Sequence, residues 1–403
     1  MDAKKLAMID EQAGDLMGQY CVSRKTGFLA EHPPQSLLLP RKKGESPRNS
    51  SFVTLDAFAY RLESTIKHRR IAETIKTLPV PTWPFDDLPR PILHRLMLIY
   101  EMGIHAYFRE ILRYRNVSEL MKDSSIKYLP AQLAIPSWEL SKLTGIAPSN
   151  SYALYALWNY RKKNPRHPLS LDNIEMPLSF TGMIDEKWFV WIHQIIEATV
   201  APGIRALLKA YLLTKNSEPS ADEVAVCLYE AARAEMAAVN ILERTRERCD
   251  YKTYFNSVRL FYSLPRNIVF EGVDELNDEP QEIFGETGGQ SASRHFRLLV
   301  AGVDHSGDPY FYKMRNHMSR PHRELLEMVA DSRVRQFVLA HKNNRPLVRK
   351  YNMLIQAIVD WRAEHLSLVG DYITIYGEGH GTGKPPLGWL DDLLEKTKSY
   401  LID

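Results

Sequence analysis

An all-α architecture is predicted by three features of the chain. Apolar side chains recur at three- and four-residue intervals along most of it, strand-like alternation is scarce, and no repeat of fixed period appears. The 403 residues suffice for two domains with sizeable cores. Hydrophobic residues make up 44% and charged residues 25%, an ordinary balance for a globular protein. A net charge of +3 gives no case for a nucleic-acid or anionic-membrane partner, and no apolar run is long enough to span a bilayer. Residues 1–14 mix acidic and basic side chains and lack the apolar segment of a secretory signal. The three cysteines are scattered, with no CxxC or CxxCH, which argues against a zinc ribbon and against covalently attached haem. Few cysteines and no signal imply a cytoplasmic protein.

The elements follow in order. Residues 15–52 read as irregular, with Gly27, Pro33, Pro34, Pro40, Gly44 and Pro47 around a basic Arg41-Lys42-Lys43. Helical spacing begins at Phe52 and runs to Leu78. A longer helix is expected from Pro91 to Tyr114, with proline at its first position, where the missing N–H costs nothing. The aromatic-rich stretch Asn150 to Lys162 reads as another helix, followed by a polar link to about Ser179. A boundary there divides a smaller helical unit, residues 1–178, from a larger one, residues 179–403. Asp185 to Ala201 is apolar almost all round and predicts a buried central helix ended or bent by Pro202-Gly203. Ser220 with Glu223 forms a capping box ahead of a helix to Arg248. Tyr251 to Leu264 is short and aromatic, and residues 265–290 read as irregular. Helical spacing returns at 291–300, 321–330, 332–341 and 346–375.

Chemistry centres on two histidines. His365 lies four residues after Trp361 and four before Val369, on an apolar helix face. It is either a core histidine bonded to a neighbour or a metal ligand, the iron of a haem being the best candidate. His193 sits in the central helix with Phe189 and Val190 one turn before it and Glu197 one turn after, and Glu197 is its candidate hydrogen-bond partner. Two helices each offering one histidine is how a bundle holds a cofactor. Arg259 lies between Tyr254-Phe255 and Phe261-Tyr262, so it needs an anion, either a protein carboxylate or a substrate carboxylate. Gly285-Glu286-Thr287-Gly288-Gly289-Gln290-Ser291 leads into a helix and is expected to offer backbone N–H groups to an anion such as a haem propionate. The run Gly377 to Lys384 is not a phosphate loop, because Glu378 stands where a glycine is needed and Pro385 where Ser or Thr is needed. Its four glycines suit a flap over a pocket.

Taken in order, these segments resemble the indoleamine 2,3-dioxygenase family. The resemblance runs from Gly27-Phe28-Leu29 through Leu129-Pro130, Trp158-Asn159-Tyr160, Ile196-Glu197-Ala198, Pro321-His322-Arg323, Trp361-Arg362 and His365-Leu366 to Gly383. It implies a smaller N-terminal helical domain and a larger haem-binding one. It also implies haem b ligated by His365, with Arg362, Gly285 and Glu286 near the cofactor. Arg259 corresponds to the arginine that grips the substrate carboxylate. Tyr152, Tyr155, Phe189, Tyr254 and Phe255 correspond to the indole pocket, Thr287 and Gly288 to the loop near the substrate ammonium, and Thr382 to the mobile loop over the site. The implied reaction adds O2 across the C2–C3 bond of L-tryptophan or a substituted indole, as in tryptophan catabolism through kynurenine, with an electron donor keeping the iron ferrous. His193 departs from the serine of animal members and is expected to act catalytically on the distal side. Three rivals remain at this point: a haem monooxygenase or peroxygenase acting on a substituted indole, a non-enzymatic haem protein with His193 as second ligand, and a helical protein without haem in which His365 and His193 are core residues.

Overall fold

A computed structural model describes residues 3–37, 50–81, 85–216, 219–303, 307–379 and 388–403, and within these the chain is helical with one short strand pair. Three helices form the centre: Ile184–Thr199, Ala221–Glu243 and Arg345–Tyr372. The last two run along one another, and Ala201–Asn216 packs on Ala221–Glu243. Trp188, Ile192, Ile195 and Ile196 are buried on the first, and Leu354, Ile355 and Ile358 on the last, as their spacing requires.

The ends of these helices are set locally. The capping box is present: Glu223 N–H donates to Ser220 Oγ at 3.3 Å, and Ser220 N–H donates to Glu223 Oε2 at 2.8 Å. Asn344 caps the helix that carries His365, its Oδ1 accepting from Leu347 N–H at 3.1 Å, with Pro346 in the first turn. The central helix stops at Thr199, and a new helix begins at Ala201 with Pro202 in its first turn, so the proline sits in a new helix rather than bending the old one. Arg90–Leu112 carries Pro91 in its first turn, one position later than expected, and is capped by Arg113, which is left-handed at φ 51°. Among the described residues, no helix is long and apolar enough to cross a membrane.

Other expectations fail for identifiable reasons. Asn150 to Lys162 is helical only over Tyr152–Tyr155. Distant partners fix the remainder: Tyr160 Oη donates to Ala30 O, and Asn159 Nδ2 donates to Leu178 O at 2.7 Å. The irregular reading of residues 15–52 misses the end of a helix, Ala3–Gln19, and residues 38–49 lie outside the described residues. Within 265–290, Ile268–Phe270 forms a strand parallel to Lys127–Leu129, in register Lys127↔Ile268 and Leu129↔Phe270. A three-residue strand has too few alternations to show in sequence. Helices at Ala131–Thr144, Pro309–Arg315 and Trp389–Lys398 were not anticipated. The first begins after Pro130 and contains Pro136, both of which read as turn signals.

Candidate functional site

One cavity of about 210 Å3 lies between the central helices. Ile184–Thr199 contributes Phe189, His193, Ile196 and Glu197, one helical face. Arg345–Tyr372 contributes Trp361, Arg362, His365, Leu368, Val369 and Tyr372 from its facing stripe. Glu286 to Gly289, Arg294, Arg297 and the helix Trp389–Lys398 complete the wall. Both histidines selected from sequence therefore face the same space.

Their protonation is set by what surrounds them. His193 Nδ1 lies 2.7 Å from Phe189 O. A carbonyl only accepts, so Nδ1 carries the proton and Nε2 is left as an acceptor on a cavity-lining ring. Burial holds His193 below the usual imidazole value, opposed by that carbonyl. Glu197 is not its partner: the Glu197 carboxylate accepts from Tyr152 Oη and from Ser291 Oγ, each at 2.9 Å. Both hydroxyls arrive from distant segments and fall on Oε1, while Oε2 is buried with no hydrogen-bond partner among the described residues.

His365 is half-buried and makes no hydrogen bond to the described residues. Its ring lies parallel to that of Trp361, centroids 5.2 Å apart. Burial first, and then the nearby charges of His193, Arg294 and Arg362, push it down to about 4. A neutral imidazole facing a cavity is the form that binds a metal. The Arg294 guanidinium also lies over the Trp361 ring, 3.6 Å from its centroid. Arg294 Nη2 is buried with no hydrogen-bond partner among the described residues. A haem would give the imidazole its metal and the guanidinium its acid, so these residues fit the group that the sequence implied.

Two buried cations beside the cavity are tolerated because Glu235 clamps both. It takes Arg294 Nη1 at 2.5 Å on one oxygen and Arg297 Nη1 on the other. Sequence reasoning passed over all three residues. The available signal was arginines at positions 294 and 297, one helical turn apart, with one acid among the alanines around position 235.

Tyr254 and Arg259 reach the cavity together through a π turn, Tyr254–Val258, in which Arg259 N–H donates to Tyr254 O. Residues five apart lie closer to one face in a π turn than in an α-helix, where they diverge by about 140°. Arg259 is fully buried, and the carboxylate beside it among the described residues is Glu378, 3.2 Å from Nη1. A protein carboxylate therefore pairs with Arg259 in this structure.

Several expected positions lie elsewhere. Tyr155 does not line the cavity; its Oη donates to Glu186 and accepts from Tyr262 Oη at 3.2 Å. Its residue type suits an indole pocket, but the short helix turns it into the core. Phe255 is also off the cavity and stacks on Tyr376, ring centroids 4.4 Å apart, because the π turn aims its neighbour inward instead. Gly285 is absent from the lining, and Glu286 N–H donates to Tyr262 O at 2.9 Å. Glu286 does line the cavity, with burial pushing its carboxyl up to about 8. Thr287 and Gly288 line it as well, with Thr287 capping the turn that follows. Thr382 and the Gly381 to Gly383 run lie outside the described residues.

The family described as "Indoleamine 2,3-dioxygenase" matches residues 16–384. Indoleamine 2,3-dioxygenase 1 of Rattus norvegicus is 27% identical, over 89% of this chain and 84% of its own length. Indoleamine 2,3-dioxygenase of Saccharomyces cerevisiae is 25% identical, over 92% and 83%. A protein of Fusarium equiseti named 6-hydroxytryptophan 2,3-dioxygenase is 28% identical, over 63% and 64%. An enzyme class replaces the reading of a non-enzymatic haem carrier. With one family spanning nearly the whole sequence, the chain belongs to the indoleamine 2,3-dioxygenase family of haem-dependent dioxygenases.

Proposed function

We propose that this chain binds haem b through His365 and adds both atoms of O2 across the C2–C3 bond of L-tryptophan or a ring-substituted indole, giving an N-formylkynurenine-type product. The observation that carries the reading is the pair His193 and His365 on opposite helices around one aromatic cavity with Arg259 on its wall. Bound haem would supply O2 binding and the redox chemistry, maintained by an electron donor that keeps the iron ferrous. The chain supplies the rest. Arg294 and Arg362 would hold the acidic groups of the cofactor. Phe189, Tyr152 and Tyr254 enclose the indole, and Arg259 attracts its carboxylate. His193 Nε2 accepts the indole N–H, a role that its Phe189 hydrogen bond prepares. Thr287 and Gly288 lie near the substrate ammonium. In this reading residues 1–178 are the smaller unit, which covers the distal side and contributes Tyr152, and residues 179–403 hold the cofactor. The three free cysteines and the need for ferrous iron support work in a reducing cytoplasm. The relative named for 6-hydroxytryptophan supports extending the substrate to hydroxylated rings.

The test is turnover of L-tryptophan under reducing conditions in labelled O2. Two labelled oxygen atoms in the product support the proposal. One labelled atom refutes it in favour of a monooxygenase or peroxygenase.

A further inference from the structure

We propose that Glu378 sets the chain's preference between indoles that carry a carboxylate and indoles that do not. The inference deepens the indole reading above and rests on it. Arg259 and Glu378 are 119 residues apart in sequence and form a buried ion pair at 3.2 Å, with 0% and 3% of their side chains exposed. Both Glu378 oxygens also accept from Ser118 N–H, at 3.1 and 3.2 Å, so the carboxylate is fixed from two sides. The segment that delivers it is anchored as well. Tyr376 stacks on Phe255, whose ring lies 5.8 Å from the Arg259 guanidinium, and Gly377 takes the left-handed turn at φ +77° between them.

The consequence is electrostatic. A substrate carboxylate arriving at Arg259 meets a guanidinium whose charge is already balanced, with a second carboxylate within one side-chain length. Like charges held close in a water-poor site repel strongly. An indole amine with the same ring and ammonium but no carboxylate escapes this repulsion. Glu378 therefore weakens indole amino acids relative to indole amines, and Arg259 alone does not fix the choice.

The experiment is equilibrium titration of the haem-loaded protein with L-tryptophan and with tryptamine, for the parent, Glu378→Gln and Glu378→Ala. The glutamine keeps an acceptor for Ser118 N–H and removes only the charge, so a folding failure of the alanine variant does not decide the matter. The expected result is that the affinity ratio of L-tryptophan to tryptamine rises by about tenfold or more in the glutamine variant. An unchanged or lower ratio makes Glu378 a holder of Arg259 and overturns the assignment, as does failure of either indole to bind. Binding without oxygen incorporation refutes the dioxygenase reading and leaves the ratio as the measure of Glu378.

Discussion

Replacing Glu286 with glutamine changes how stability depends on pH. Glu286 faces the cavity, and burial raises its carboxyl from 4.5 to about 8. Its folded value lies above its unfolded one, so the sign of the effect is fixed. Below pH 4.5 both states are protonated, and the residue contributes no pH dependence. Between pH 4.5 and about 8 the unfolded chain ionises while the folded one holds its proton, so stability falls as pH rises. Above that window the loss is complete, and the gap corresponds to at most about 5 kcal/mol. Water entry or local opening gives the charge a cheaper state and reduces the observed value. Glutamine cannot ionise and removes this dependence. The assay is urea unfolding followed by far-UV circular dichroism at pH 5, 7 and 8.5. The variant should match the parent most closely at pH 5 and gain progressively toward pH 8.5. Glu101 serves as a control: it is buried against Ser137 off the cavity and is also raised to about 8. Glu101→Gln should show the same stability profile with unchanged indole affinity. Parallel curves for parent and Glu286→Gln across the whole range would refute the reasoning.

Three further outcomes follow from the geometry. His365→Ala should abolish Soret absorbance with far-UV dichroism preserved, and an unaltered haem spectrum would remove His365 as the ligand. Tyr155→Phe deletes a buried hydrogen bond to Glu186 and should cost about 1–3 kcal/mol in unfolding experiments while leaving the KM for L-tryptophan within about twofold. A large KM change would return Tyr155 to the pocket. Glu235→Gln leaves Arg294 and Arg297 as uncompensated buried cations and should destabilise the fold by about 3–5 kcal/mol; a loss under about 1 kcal/mol would contradict the clamp.

Features that depend on near neighbours could be read from the sequence. Apolar spacing of three and four residues is a property of one helix, so Ile184–Thr199, Ala221–Glu243 and Arg345–Tyr372 were legible. His193 and His365 appeared on their inner faces for the same reason. The Ser220–Glu223 box spans four residues and needs no distant partner. Tertiary structure decided whatever joins remote segments. Glu197 bonds Tyr152 and Ser291 rather than its own helical neighbour, because those hydroxyls arrive from positions 45 and 94 residues away. Tyr155 and Phe255 are aromatic like their neighbours, and only packing turned them away from the cavity. The π turn turned Tyr254 and Arg259 to the same cavity, and the clamp at Glu235 and the pair at Glu378 each required remote segments to meet in the core. A side chain's type and periodicity are local, but the partner that satisfies a buried charge is chosen by the fold, since desolvation penalises any arrangement that leaves it alone.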